Sequence, residues 1–548
     1  MKKKYVTFAM FVWLVLIGAY VRVSGLHAYY FSPDDVMHLY LSDWNTFHEL
    51  LESVVPTGRP PLMNLLLHFL MRMSRNELAL RSISLIPGIG LIFVFFFLGR
   101  KASGTASGIT MSFIAAFAYG PILVSQVVRE YGLLLFFLSM AYLLFLLYSD
   151  EKKYFAGYIT FLCLAVLTSY AAVIPIAGLG LVHVVSLLHP KKPIKRAIKL
   201  LCAYLLPALF FGLFYLLHVR QFIESAVYSR GKEVYLQAMF ARTLRDWLLN
   251  IHDLYKYIFT EPFAGAAILA SLIGFYSLWS KGRRNIIAIT AITFLINVIL
   301  TSLGLFPFGG GRQSIYLLPL LALAVGAFVQ HSLEILKTVL QKNQNLSKWA
   351  SRGKSAAAAI SALLFIVSTV LLALNYKQTD FLRRYGGPSW REFPVTRKAY
   401  MQLHGSLRKE LHAGDVILTN GQTSKYILWA FNRRQSFEPF SDDLLATRYL
   451  GVDCYFIPTW HIATRERLVK ILKEIDMREP DGGERARIYV LNMGWNDPVR
   501  EALLELSSQT SLMEKQLIIA GSSIFAVDSE MPIQMLEQSP PRAGGKGV

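Results

Sequence analysis

The chain has 548 residues, 54% of them hydrophobic and only 17% charged. Soluble globular chains run about 45–50% apolar and about 25% charged, so this composition excludes disorder, coiled coil, collagen and a wholly soluble enzyme. The net charge of +20, from 56 Lys and Arg against 36 Asp and Glu, comes in short clusters between apolar runs. That distribution argues against a nucleic-acid partner and for basic loops on the cytoplasmic side of a membrane.

Met1-Lys2-Lys3-Lys4 precedes an apolar stretch from Tyr5 to about Val23. No small-x-small cleavage site follows it, so it reads as an uncleaved first helix with its lysines in the cytoplasm. A polar segment, about 24–58, emerges on the far side. The apolar stretch from Pro60 to Met73 is shorter than the roughly 20 residues that cross a hydrocarbon core of about 30 Å. It reads as an interfacial or re-entrant helix within an extracytoplasmic loop, 24–81.

Membrane spans are then predicted at about 82–99, 105–124, 131–148, 154–170, 171–188, 197–217, 262–280, 285–304, 314–331 and 355–375. The turns assigned to the cytoplasm carry Arg100-Lys101, Lys152-Lys153, Lys191-Lys192 with Lys195-Arg196, Lys281 with Arg283-Arg284, and the stretch from Lys337 to Lys354. Each is basic, and the far-side turns are poor in Lys and Arg for their length. With the first helix the count is about 11 spans, N-terminus in and C-terminus out. Treating 60–73 as a full span would reverse every later turn against the charge rule.

Beyond Tyr376 the composition changes, dividing a membrane domain, 1–375, from a C-terminal domain, 376–548. Strand-like strings at Asp415–Asn420, Cys454–Pro458, Arg487–Asn492 and Leu517–Ala520 alternate with amphipathic helical stretches at Thr464–Met477 and Asp497–Ser507. The alternation predicts a small extracytoplasmic α/β domain. The tail from Pro540 is rich in Gly and Pro and reads as disordered. Cys163, Cys202 and Cys454 form no metal or disulfide pattern.

Four polar groups fall on the far side. Ser32-Pro33-Asp34-Asp35 follows the first helix; paired carboxylates there suit general-base work on a hydroxyl. The plain alternative is that Asp34 or Asp35 caps a helix over Val36–Leu41. Gly58-Arg59-Pro60-Pro61 opens the short helix, with Arg59 an interfacial anchor or a phosphate ligand. Ser125-Gln126-Val127-Val128-Arg129-Glu130-Tyr131 joins two spans, and charges entering lipid face a cavity or each other. Phe308-Gly309-Gly310-Gly311-Arg312-Gln313 combines a permissive backbone with a fixed charge; a flexible hinge is its alternative. His27, His38, His48 and His68 match no metal-binding spacing and read as interfacial residues. One carboxylate pair and three arginine-bearing junctions on one side of the membrane fit a polar site facing an anionic lipid head group.

The ordered set Asp34-Asp35, Arg59-Pro60-Pro61-Leu62, Glu77-Leu78-Ala79-Leu80-Arg81, Gly99-Arg100-Lys101 and Ser125–Tyr131 resembles the first half of polyprenyl-phosphate-dependent glycosyltransferases of the GT-C fold. Bacterial members related to protein O-mannosyltransferases and to the lipid A aminoarabinose transferase are the relatives it resembles. Gly311-Arg312-Gln313 followed by Tyr316-Leu317-Leu318-Pro319 resembles a later segment, and the likeness covers about residues 1–375. The family usually has Asp-Glu in place of Asp34-Asp35, His-Pro-Pro in place of Arg59-Pro60-Pro61, and in many members Glu in place of Val127.

The resemblance implies transfer of one sugar from an isoprenoid phosphate carrier to a cell-envelope glycan, lipid or protein outside the cytoplasm. The setting it implies is a multi-pass protein of the bacterial inner membrane. It implies Asp34 as base, Asp35 as its support, and Arg59, Arg129 and Arg312 on the lipid phosphate, with Glu130, Tyr131 and Gln313 in the substrate site. No metal or other cofactor is indicated, although adjacent carboxylates can hold a divalent cation. A transporter or flippase of a lipid-linked saccharide is the rival reading; such proteins place ionisable groups near the midplane, and these spans carry few. A non-catalytic glycan-binding assembly subunit is the third.

Overall fold

In lipid an exposed backbone has no partner but itself, so apolar runs must close their hydrogen bonds as helices. The computed structural model describes residues 2–26, 30–54, 60–148, 151–187, 194–220, 240–241, 243–342, 354–378, 397–411 and seven strands between 416 and 527. The chain forms two units, one of Met1–His27 and Leu41–Trp390, the other of Ala28–Tyr40 and Arg391–Val548.

The described residues of the first unit build helices α1 (Lys2–Gly25), α3 (Phe47–Val54), α4 (Leu62–Met73), α5 (Glu77–Ala102), α6 (Thr105–Phe117), α7 (Tyr119–Gln126) and α8 (Glu130–Tyr148). Helix α2 (Pro33–Ser42) starts in the second unit. Then come α9 (Phe155–Thr168), α10 (Val173–Leu187), α11 (Ile194–Phe214), α12 (Leu244–Phe259), α13 (Ala264–Ser280), α14 (Arg284–Ser302), α15 (Leu318–Lys342) and α16 (Lys354–Gln378). Each expected span falls on one of these helices or on a helix pair. Among the described residues, six helical stretches are long and apolar enough to cross a membrane, or up to 7 with one bent pair. Leu269, Leu272 and Tyr276 on α13 and Leu295 and Ile299 on α14 are exposed, as a surface solvated by lipid requires. The chain is a multi-pass membrane protein.

Helix α5 shows how local signals set the ends. The Asn76 side chain accepts from the Leu78 N–H at 2.9 Å, a cap worth about 1 kcal/mol. Arg100 and Lys101 occupy the last turn, where positive charge meets the negative end of the helix dipole. Helix α4 has 12 residues, a rise of about 18 Å, well short of a bilayer core. His68, expected at the interface, is buried on α4 with Nδ1 3.1 Å from the Ser42 carbonyl oxygen.

The span expected at 105–124 is not one rod. It breaks at Ala118 into α6 and α7, which meet at 52°. Pro121 has no N–H to give to Phe117, and its ring crowds that carbonyl, so a continuous helix is disfavoured. Ala118 takes an extended conformation, φ −72 and ψ 150. Helices α9 and α10 are likewise separated by an extended Ser169 and a 3-10 turn at Tyr170–Ala172.

In the second unit, strands β1 (Val416–Asn420), β2 (Glu438–Pro439), β3 (Leu445–Tyr449), β4 (Val452–Ile457), β5 (Ile488–Asn492), β6 (Met513–Ile519) and β7 (Ser522–Val527) form one sheet, ordered β2-β3-β4-β1-β5-β7-β6. Strand β1 pairs in parallel with β4 and β5, with Ile417 opposite Cys454 and Tyr489; the other pairings are antiparallel. Ile417 and Cys454 are buried. Parallel strands need crossovers, but the helical stretches expected at 464–477 and 497–507 lie outside the described residues, as does the tail from 540. The four strands expected from sequence fall on β1, β4, β5 and β6. Strands β2 and β3 carried no clear apolar run: β2 has two residues, and Leu445-Ala446-Thr447-Arg448-Tyr449 is half polar; β7 carries Ile524-Phe525-Ala526-Val527 and was missed. Helix α17 (Arg397–Glu410) belongs to this unit, and its Arg397 guanidinium lies 5.8 Å from the centre of the Tyr30 ring.

Candidate functional site

Arg129 stands in a three-residue link between α7 and α8, and the link is fixed from several sides. Val127 and Val128 are fully buried, and Arg129 is 2% exposed. The Arg129 N–H donates to the Val127 carbonyl at 3.0 Å, and its own carbonyl accepts from the Ser84 hydroxyl of α5 at 3.2 Å. Arg81, also on α5 and 1% exposed, donates through Nε to Glu77 Oε1 at 2.9 Å and through Nη1 to the Gln126 carbonyl at 2.5 Å. The Gln126 Nε2 donates to the Arg22 carbonyl of α1 at 2.9 Å. Two helices, α1 and α5, therefore hold the chain that carries Arg129. A backbone fixed this closely sets the point from which the buried Arg129 side chain projects.

Arg312 comes from the glycine-rich loop and begins a 3-10 helix at Arg312–Leu317. The loop is shaped by Gly309 at φ +152, whose N–H donates to the Ser314 hydroxyl at 3.2 Å. Gly310 lies so close to α12 that a Cβ there would stand 2.7 Å from the Asp253 backbone oxygen, so no other residue fits. Phe308 is buried against Trp247 and Phe294, with ring centres 5.6 and 5.9 Å away. So anchored, Arg312 places its guanidinium 5.8 Å from the centre of the Tyr131 ring, a cation–π arrangement. The Oε1 of Gln313 is buried, with no hydrogen-bond partner among the described residues.

Tyr131, two residues beyond Arg129, thus meets Arg312 inside the first unit. Asp34 and Asp35 lie in the second, at the start of α2. The Ser32 hydroxyl accepts from the Asp35 N–H at 3.2 Å, and Asp35 Oδ2 accepts from the Ser32 N–H at 2.8 Å. This is a capping box, with Pro33 in the first helical position. The cap is therefore Ser32, rather than Asp34 or Asp35, and Asp35 is its buried partner. Asp34, in the second position, is outside the box. Arg59 lies outside the described residues.

Sequence reasoning missed Arg22 and Thr260, and it used Arg81 only as part of a motif. Arg22 is fully buried within α1; an ionisable residue in an apolar span is a signal on its own. Thr260 is a non-glycine residue at φ 88, and its hydroxyl accepts from the Tyr119 N–H at 3.1 Å. No sequence pattern marks it. Among the described residues, no group of three or more His, Cys, Asp or Glu is placed to hold a metal ion.

No family model matches the chain, and no curated protein matches it. Solved structures do. ArnT from Cupriavidus metallidurans in the apo state aligns at a TM-score of 0.51 and 14% identity, over 95% of this chain and 97% of that one. ArnT from the same organism bound to undecaprenyl phosphate aligns at 0.43 and 13% identity, over 95% and 98%. The archaeal oligosaccharyltransferase AglB from Archaeoglobus fulgidus, in complex with an inhibitory peptide and a dolichol-phosphate, aligns at 0.45 and 15% identity over 79% of this chain. The chain spans 64% of the length of that oligosaccharyltransferase. Its fold is GT-C, as in apo ArnT.

Proposed function

We propose that the chain is a membrane glycosyltransferase that moves a sugar from a polyprenyl-phosphate carrier to a cell-envelope acceptor on the extracytoplasmic face. The observation that carries this reading is Arg312 set over the ring of Tyr131, two residues beyond a buried Arg129, in a chain of GT-C fold. Two arginines at one end of a helix bundle suit a lipid-borne phosphate. The guanidinium stays charged and binds phosphate oxygens in pairs.

In this scheme Asp34 takes the proton of the acceptor as its hydroxyl or similar group attacks the anomeric carbon. The bond from that carbon to the phosphate oxygen breaks, the configuration inverts, and the polyprenyl phosphate leaves. Negative charge grows on that phosphate in the transition state, where fixed cations stabilise it most. Arg129 and Arg312, with Arg59, take that role. Asp35 holds the turn that presents Asp34, while Glu130 and Tyr131 line the head-group site. Gln313 Oε1 is a buried acceptor, suited to a sugar hydroxyl. About 11 spans, with the N-terminus in and the α/β domain out, put the site on the extracytoplasmic face of a bacterial inner membrane.

The test is Asp34→Asn in the full-length protein, matched for membrane expression and assayed with radiolabelled polyprenyl-phosphate sugar. Transfer should fall to background; undiminished transfer excludes the base. A reporter fused after Gly414 should behave as extracytoplasmic, and a cytoplasmic signal would overturn the topology.

A further inference from the structure

Breaking a helix inside an apolar span strands the carbonyls of its last turn, and lipid offers them nothing. At the α6–α7 break each of these groups has a partner. The Ile114 carbonyl accepts from the Ala118 N–H at 2.9 Å, and the Ala118 carbonyl from the Ile122 N–H at 3.4 Å. The Ala116 carbonyl accepts from Arg22 Nη1 at 3.2 Å, and the Ala115 carbonyl from Arg22 Nη2. The Phe117 carbonyl, which Pro121 cannot serve, accepts from the Tyr376 hydroxyl of α16. Side chains from α1 and α16 thus complete the end of a helix that lies between them in sequence.

Arg22 also touches the far end of α7. Its own carbonyl takes the Gln126 amide at 2.9 Å, and Gly25 makes room for that amide: a Cβ there would lie 2.4 Å from Gln126 Nε2. One residue of α1 therefore binds the end of α6 through its side chain and the last residue of α7 through its carbonyl. Three residues beyond Gln126 stands Arg129. A span needing only to cross lipid would carry no arginine, since the charge is costly there. A positive side chain at the negative end of a broken helix offsets that cost.

We propose that Arg22 and Tyr376 are positioning residues for Arg129: they fix the angle of the α6–α7 break and, through Gln126, the place from which the Arg129 guanidinium meets the donor phosphate. This rests on the reading of Arg129 as a ligand of that phosphate. Neither residue touches the donor. They act by leaving the break one low-energy geometry.

The test measures binding of undecaprenyl phosphate to the full-length protein in nanodiscs, beside its thermal unfolding midpoint. Tyr376→Phe removes one hydroxyl and should weaken binding about tenfold. Arg22→Met should weaken it further, with Arg22→Lys recovering part of the loss. In an Arg129→Ala background, itself weakened, Tyr376→Phe should change nothing more, because both act on one interaction. Wild-type affinity in Tyr376→Phe, or a loss that adds in full to that of Arg129→Ala, overturns the positioning role. A lowered midpoint with unchanged affinity overturns it too, since that is the mark of a merely structural contact. Unchanged binding in Arg129→Ala alone overturns the phosphate reading beneath it, and shows in the single variant. Should Arg22→Met fail to fold, Tyr376→Phe and its double variant still decide.

Discussion

The Ser32–Asp35 turn and the Gln126–Arg129 link are both polar structures at helix ends, yet they are held over very different lengths of chain. Ser32 and Asp35 cap each other three residues apart. Arg81 reaches the Gln126 carbonyl across 45 residues, and Gln126 reaches Arg22 across 104. The first can form as soon as its helix does. The second exists only when α1, α5 and α7 have packed. In the proposed reaction the local device presents a base, which needs a pre-set helix start. The long-range one presents a cation, which must be held without water around it.

The sharpest way to break that division is Asp34→Asn. A lost general base should cost about 10³-fold in kcat while undecaprenyl phosphate still binds within about twofold, for the turn does chemistry and the arginine link binds. A parallel loss of affinity would show that the two regions share one role. Arg312→Lys comes next. It keeps the charge but loses the planar fork and its stacking on Tyr131, so kcat/KM for the lipid donor should fall about tenfold, with kcat lowered as well as KM raised. An unchanged kcat/KM would remove Arg312 from the phosphate site.

Ser32→Ala should be milder. Losing the cap costs about 1 kcal/mol of helix stability, visible as faster amide exchange at Asp35 and Val36, with activity reduced but retained. Exchange at Gln126 and Arg129 should stay as in the wild type; a change there would mean that the turn is not a local device.

The smallest effect concerns the related box at α3, where the Thr46 N–H donates to Glu49 Oε2 at 2.9 Å and the Glu49 N–H to the Thr46 hydroxyl at 3.2 Å. Hydrogen bonding from the Thr46 backbone, then from its side chain, holds the Glu49 carboxyl below its ordinary range. A depressed carboxyl stabilises the folded helix above the ordinary value, and that contribution is lost as pH falls through the lowered one. Amide protection in the first turn of α3 should therefore decline on acidification across the carboxylate range, after correction for intrinsic exchange. Protection that rises instead would contradict this assignment.

Much of this was legible before any coordinates. The helix start near Asp34-Asp35, the short helix after Pro60 and four strands of the C-terminal sheet follow from residue types within a few positions of each other, although the cap itself is Ser32 and not either aspartate. Arg129 and Arg312 were marked because charge beside an apolar run must be accounted for. The bend at Ala118 was not marked, although Pro121 was its cause. Proline near a helix start is tolerated as often as it breaks a span, and only packing decides which.

Composition, charge clusters and apolar run lengths by themselves determined that this chain crosses a membrane repeatedly, because lipid permits one backbone solution for a long apolar run. They also determined where its charged residues re-enter the sequence. What only the tertiary structure decided is which of those charges are joined. Arg22 is bound to the end of α6 and to Gln126, Arg81 to the Gln126 carbonyl, and Arg312 to Tyr131. Each is a contact between helices far apart in the chain. Hydrogen bonds and cation–π contacts depend on positions in space, and those are set when helix faces pack rather than when helices form.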